Sequence, residues 1–260
     1  MRRPITALAV ALCLAPGPAF TQDADDWAFV ETEEHGMIAI TEFAGGQAIL
    51  AQCRDGELKV MLTGLPSTTD RARNVEASRA DGRRSSQTWL ASETPGVFTA
   101  ATPGRQGRFL RGGGVYDFRT TEGEVPPMRA TFELPAASAN LDRVITGCNW
   151  AVEDERDALE QPGPQSFEWA RNRGRAPQPE RPRPRRRDGQ LVSIVHLSCI
   201  VRNLRLAECR ADHQLPVRGS HGVVAARNLS GERLAAPDPA LVEGRVVYVT
   251  TETEQTLVRQ

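Results

Sequence analysis

At 260 residues, 40% hydrophobic and 25% charged, the chain has the composition of an ordinary globular protein, with enough Val, Ile and Leu to build cores. Its formal net charge of −1 argues against a whole-protein electrostatic role on nucleic acid or membrane. Lys59 is the sole lysine, so arginine carries nearly all of the positive charge.

Residues 1–21 read as a secretory signal peptide. Arg2 and Arg3 form a basic start, Ile5–Ala15 is an apolar run of eleven residues, and Pro16-Gly17-Pro18 breaks any helix. Ala19-Phe20-Thr21 then offers small residues for cleavage after Thr21 or Ala19. The run is well short of the ~20 residues that span a bilayer. Retention of the segment as an N-terminal anchor is the alternative. Export implies an oxidising compartment, read here as the periplasm. Four cysteines remain after cleavage, Cys53, Cys148, Cys199 and Cys209, and four allow three pairings. Spacing and the intervening linker favour Cys53–Cys148 and Cys199–Cys209. There is no C-x-x-C, and C-x9-C with scattered histidines is not zinc spacing, so disulfides are expected rather than a metal site.

Residues 25–160 read as a β-rich domain. Trp27–Glu31 starts a first strand; Met37–Phe43 and Gln47–Cys53 form a hairpin across Gly45-Gly46. Asp55-Gly56 supplies the next tight turn and Leu58–Leu62 the next strand, completing a meander. Residues 66–88 are polar and admit only a short strand at Arg73–Ala77, while Trp89-Leu90 begins a further element. Val97-Phe98 and Phe109-Leu110 stand as isolated apolar anchors. Gly112-Gly113-Gly114 is read as a turn before a strand at Val115–Arg119, because no Lys-Ser/Thr follows as a phosphate loop requires. In Met128–Leu134 the residues Met128, Ala130, Phe132 and Leu134 share one face. Ser138 then caps a helix, Ala139–Gly147, with Leu141, Val144 and Ile145 as its apolar stripe. A Cys53–Cys148 bridge would staple this helix to the meander. The order of these pieces, with anchors Cys53, Trp89, Phe109, Phe132, Leu134, Cys148 and Trp150, resembles secreted type VI secretion-associated proteins of the VasI kind. That resemblance implies a β-sandwich-like accessory domain without an active site.

Residues 161–190 read as the linker. Eight arginines from Arg171 to Arg187 alternate with Pro177, Pro179, Pro182 and Pro184, a composition that cannot bury a core. Arg181, Arg183, Arg185, Arg186 and Arg187 offer contact with an anionic surface. No aromatics lie among them to stack on bases, so nucleic acid is not expected as a partner.

Residues 191–260 form the C-terminal domain. Leu191, Ser193, Val195, Leu197 and Cys199 share one face of a strand, and Val192, Ile194, His196 and Ser198 the other. The chain turns through Arg202–Arg205 and returns along Leu206–Arg210, which brings Cys199 and Cys209 within reach if the turn centres on Leu204. A break at Pro216–Gly219, a helix at Gly222–Leu229, a Pro-rich loop and a last strand from Gly244 follow. Through Pro216, Gly219, Gly222, Ala225-Ala226, Arg227, Pro237, Gly244 and Val246–Val249 this order resembles the C-terminal domain of TonB-type energy transducers. The chain departs from that family at Leu204, where a turn glycine is usual, and has Arg185–Arg187 in place of a Tyr-Pro segment. It also has no spanning N-terminal helix to couple to a proton-driven motor. The resemblance implies a small α+β domain that pairs with strands or binds envelope partners.

No catalytic constellation is legible. G-x-S-x-G, H-E-x-x-H and S-x-x-K are absent from the sequence. His196 reads as a packed strand histidine, His213 and His221 as loop-flanking residues, and Glu153-Asp154-Glu155 as solvated charge. The expectation is an α+β, mostly β protein with no enzymatic activity, cofactor or metal, acting as a periplasmic binding or adaptor protein of a Gram-negative envelope. An N-terminally anchored TonB-type relative is the alternative, and a cell-wall hydrolase a distant third.

Overall fold

The computed structural model describes residues 25–121, 127–163, 166–169 and 191–255. The signal segment and the arginine-proline strip, with the five arginines named above, lie outside the described residues.

Strands β1 (Ala28–Thr32), β2 (Gly36–Glu42), β3 (Ala48–Arg54) and β4 (Glu57–Thr63) pair in sequence order as an antiparallel meander. Asp55 and Gly56 both have positive φ, 53° and 79°, the backbone of a tight hairpin whose twist matches its strands. Alternation then sets the inward residues: Ile49, Ala51 and Cys53 on β3, and Leu58, Val60 and Leu62 on β4.

The polar stretch 66–88 is more ordered than its composition implies. It builds a full hairpin, β5 (Ala72–Arg79) with β6 (Arg84–Ala91), and Trp89 lies within β6 instead of beginning an element. The pattern is hidden because several inward positions are polar: Arg73 and Arg79 on β5, Ser85 and Gln87 on β6. Such burial is tolerated when hydrogen bonds replace water. Arg79 donates to the Phe109 carbonyl at 2.8 Å, and the Gln87 carbonyl oxygen accepts from Trp89 Nε1 at 3.1 Å and Tyr116 Oη at 3.0 Å.

A short strand, β7 (Phe98–Ala100), slots between β4 and β6, and β8 (Gly114–Thr120) and β9 (Arg129–Leu134) extend the far side. The result is one nine-stranded antiparallel sheet, β1-β2-β3-β4-β7-β6-β5-β8-β9. It curls on itself: Phe43, just past β2, meets Phe132 of β9 with ring centroids 4.5 Å apart. A single curled sheet thus encloses the first core, a β-rich domain as expected but built from one sheet and not from two facing ones.

Two helices meet that core. Helix α1 (Pro103–Phe109) replaces the isolated anchor expected at Phe109; every residue of it is buried, including Arg105 and Arg108. Helix α2 (Ala139–Gly147) follows the sequence reading, and Leu141, Val144 and Ile145 are wholly buried. Each such side chain contributes roughly 1.5–3 kcal/mol. Its cap differs from expectation. The Ser138 hydroxyl accepts from the Gly112 amide at 2.9 Å, and the Asp26 carboxylate, distant in sequence, takes the Asn140 amide at 3.1 Å.

The second unit is a three-stranded antiparallel sheet, ordered β12-β11-β14. It contains β11 (Leu191–Arg202), β12 (Arg205–Leu215) and β14 (Val246–Gln255). Asn203 and Leu204 turn the β11–β12 hairpin with φ of 54° and 55°, so Leu204 does adopt the left-handed conformation that usually selects glycine. Helix α3 (His221–Leu229) packs Ala225, Ala226 and Leu229 toward Val195, Leu197, Cys199 and Val249. Two-residue strands β10 (Glu168–Trp169) and β13 (Leu234–Ala235) pair beside it. Phe167 and Trp169, assigned to the linker by composition, therefore belong to this second core.

Both disulfides form as paired from spacing. Cys53–Cys148 joins β3 to the end of α2 with Cα atoms 5.5 Å apart, and Cys199–Cys209 bridges the β11–β12 hairpin at 4.1 Å. Two such bridges suggest an oxidising, extracellular or periplasmic, environment. Among the described residues, no helix is long and apolar enough to cross a membrane.

Candidate functional site

The most elaborate polar chemistry of the chain lies on the β11-β12-β14 face opposite α3. Strand alternation sends Val195, Leu197, Cys199 and Val201 to the helix side and His196 and Ser198 to the other. That other face meets α1 and the segment following α2.

Trp150 is its centre, and local backbone geometry aims it there. Asn149 takes φ of 60° after α2; its amide donates to the Thr146 carbonyl at 2.9 Å, and the Trp150 amide to the Ile145 carbonyl at 3.1 Å. This paired closure ends a helix and fixes the exit direction of the next residue. The adjoining Cys53–Cys148 bridge pins the same point. Gly104 completes the seat: a Cβ there would stand 2.1 Å from the Trp150 ring.

Trp150 stacks on His213 with centroids 4.9 Å apart and planes inclined by 7°, and tilts over His196 at 5.3 Å. The two histidines are direct register partners across β11 and β12, with ring centroids 6.1 Å apart. Thr250 on β14 hydrogen-bonds His196 Nδ1 at 3.1 Å. His213 is 6% exposed, and neither of its ring nitrogens has a hydrogen-bond partner. Burial pushes the His196 imidazole down to about 4, with His213 adding to the effect. Burial lowers His213 as well, against a pull from the Cys148 backbone that falls outside hydrogen-bond geometry.

Around this stack runs an arginine–carboxylate lattice. Arg156 donates to the Ser198 hydroxyl at 2.8 Å, to the Ser198 carbonyl and to the Glu208 carbonyl at 2.6 Å. Arg210 reaches both oxygens of Asp154 at 2.7 Å and Asp212 at 3.0 Å. Arg108 forks onto Asp157 and lies 3.5 Å from Asp154. Arg105 lies over the Tyr248 ring, 5.2 Å from its centroid, and donates to its hydroxyl at 3.0 Å. Burial works to raise the Asp154 carboxyl, but the Arg156 amide and the Arg210 and Arg108 guanidiniums hold it below the usual range. Asp212 goes the other way: burial raises it, and Ser198 and Arg210 offset that only in part.

One sequence expectation changes here and one is extended. Asp154 is a buried hub instead of solvated charge, its side chain 9% exposed. His213 near the end of β12 and His221 at the start of α3 do flank a loop, 216–220, but His213 is also buried in the seam. The four cysteines occupy their predicted places. Sequence reasoning missed Arg105, Arg108, Trp150, Arg156 and Arg210 as a group. The nearest signal was Cys148-x-Trp150 after a capped helix; the rest depends on register between strands.

Chemically the seam is a clamp. The Ser198 hydroxyl donates to Asp212 at 2.9 Å and accepts from Arg156, so no imidazole is poised to activate it. The cleft bordered by Arg105, Trp150, His196, Asp212, Tyr248 and Thr250 encloses about 10 Å³, roughly the space of one water. Among the described residues no group of three or more His, Cys, Asp or Glu is placed to hold a metal ion. Comparison of the chain with protein-family models, curated proteins and solved structures returns no match.

Proposed function

We propose that this chain is a non-enzymatic binding or adaptor protein of the Gram-negative periplasm, and that its C-terminal sheet receives a partner strand along the outer edge of β14. The position of β14 carries this reading. The sheet is β12-β11-β14, with one face under α3 and the other against the seam, so an edge is where backbone groups are offered. The start of that edge already accepts chain, since the Val246 amide donates to the Glu160 carbonyl. Strand alternation turns the Tyr248 and Thr250 backbones the same way. The strand–turn–strand–helix–strand order supports the TonB C-terminal-like resemblance, and a family of strand-pairing domains is consistent with it.

Photocrosslinking in the envelope tests the reading. A photoreactive residue at Thr251 should give one or a few discrete adducts, while the same residue at Arg119, on the far side of the first sheet, should not. Glu252→Pro, which removes an outward amide at an exposed position, should abolish the Thr251 adducts while leaving the fold intact by circular dichroism. Absence of discrete adducts from β14 would overturn strand addition.

A further inference from the structure

We propose that Trp150, His196 and His213 form an acid-operated latch, which holds the two modules together while both imidazoles are neutral and releases them when the imidazoles charge. The geometry has three parts. Trp150 belongs to the first module, and the histidines are opposed partners on the sheet of the second, so the stack spans the seam. His213 is buried with neither ring nitrogen in hydrogen-bond geometry, so a charged ring there would carry two unsatisfied donors. Two rings 6.1 Å apart would also repel when both are charged.

The groups bordering the pair offer little compensation. Around the seam lie Arg105 on α1, Asp154 and Arg156 after α2, Arg210 and Asp212 on β12, and Tyr248 on β14, while the Cys148 backbone favours a charged His213 by less than burial opposes it. The two carboxylates are already engaged, Asp154 by Arg210 and Asp212 by Ser198 and Arg210. Among the described ion pairs none involves His196 or His213.

The direction with pH follows. Both rings have folded values below the ordinary imidazole range, so they bind a proton more readily once the seam opens. Closure is fully favoured above about pH 6.5 and weakens by up to about tenfold per pH unit per ring below it. For His196 the weakening ends near about 4. Asp212, raised by burial, takes its proton more readily in the closed seam and offsets part of this.

Hydrogen exchange on the mature chain, corrected for intrinsic rates, at about pH 7 and about pH 4.5 tests the latch. Segments 103–109, 150–158 and 205–215 should lose at least about tenfold protection, while 48–63 keeps its own. The double substitution His196→Phe/His213→Phe preserves aromatic stacking without a titrating group and should keep the seam protected. The latch is wrong if the wild-type seam is indifferent to acid, if the double variant opens equally, or if 48–63 opens along with the seam. Should the variant not fold, imidazole titration of the wild type by NMR decides: both rings must charge in step with seam exchange, and charging without opening overturns the proposal.

Discussion

Asp154 shows how much one carboxylate can join. It accepts the Arg156 amide at 3.0 Å, meets Arg210 with both oxygens and lies near Arg108, so it links its own turn, β12 and α1. Asp154→Asn keeps the shape and removes the charge, and should cost about 2–3 kcal/mol in denaturant unfolding. The pH dependence is specific. Because the folded carboxyl is held below its ordinary 3.8, its stabilisation is present above that value and lost as pH falls through the lower folded one. The Asn variant should lack this acid component, which a comparison of unfolding midpoints between neutral pH and about pH 3 would read. Gly104 carries a second residue-scale expectation. Gly104→Ala places a methyl 2.1 Å from the Trp150 ring, so the indole must move; a loss of about 1–3 kcal/mol and altered Trp fluorescence should follow.

The disulfides and the buried helix matter at the scale of elements. Cys53–Cys148 closes a loop of 95 residues between β3 and α2, while Cys199–Cys209 closes one of 10. Loop closure predicts that the first bridge constrains the unfolded chain more, by about 4–5 kcal/mol against about 2–3. Paired alanine substitutions, compared by denaturant midpoint, should rank in that order. Removing the first bridge should also loosen Trp150, two residues past Cys148. Helix α1 makes a different point. Its sequence, PGRQGRF, has no apolar stripe, yet it is buried throughout, because glycines admit Trp150 and Ile145 and carbonyls and carboxylates receive its arginines. The period that reveals amphipathic helices has nothing to act on there.

Across the whole molecule, the seam makes the two cores interdependent. Arg156, a residue of the first module, fills acceptors on β11 and β12, so its side chain holds the second sheet in place. Arg156→Ala leaves those acceptors unmet and should separate one calorimetric unfolding transition into two. A single unchanged transition would mean that the modules are coupled elsewhere. Strand addition at β14 belongs to this scale as well, since both faces of its sheet are covered only when the modules are together.

Local pattern was enough for the meander, the Asp55-Gly56 turn, the α2 stripe, the β11–β12 hairpin and both cystine pairs. In each, neighbours in sequence are neighbours in space, or spacing leaves one sensible partner. It failed at β5–β6 and α1, where inward positions hold Arg, Ser, Gln and Gly. There, burial depends on hydrogen-bond partners that only the folded chain supplies. The seam lay further still from the sequence. His196 and His213 are 17 residues apart and become partners only through the register of one hairpin. Trp150 reaches them only because a left-handed Asn149 and a disulfide direct it across the boundary between two cores. Sequence by itself determined the meander, its tight turns, the β11–β12 hairpin and the cystine pairs that suit an oxidising environment. Tertiary structure alone decided which charges would be buried together, because that choice depends on how two separately patterned surfaces meet.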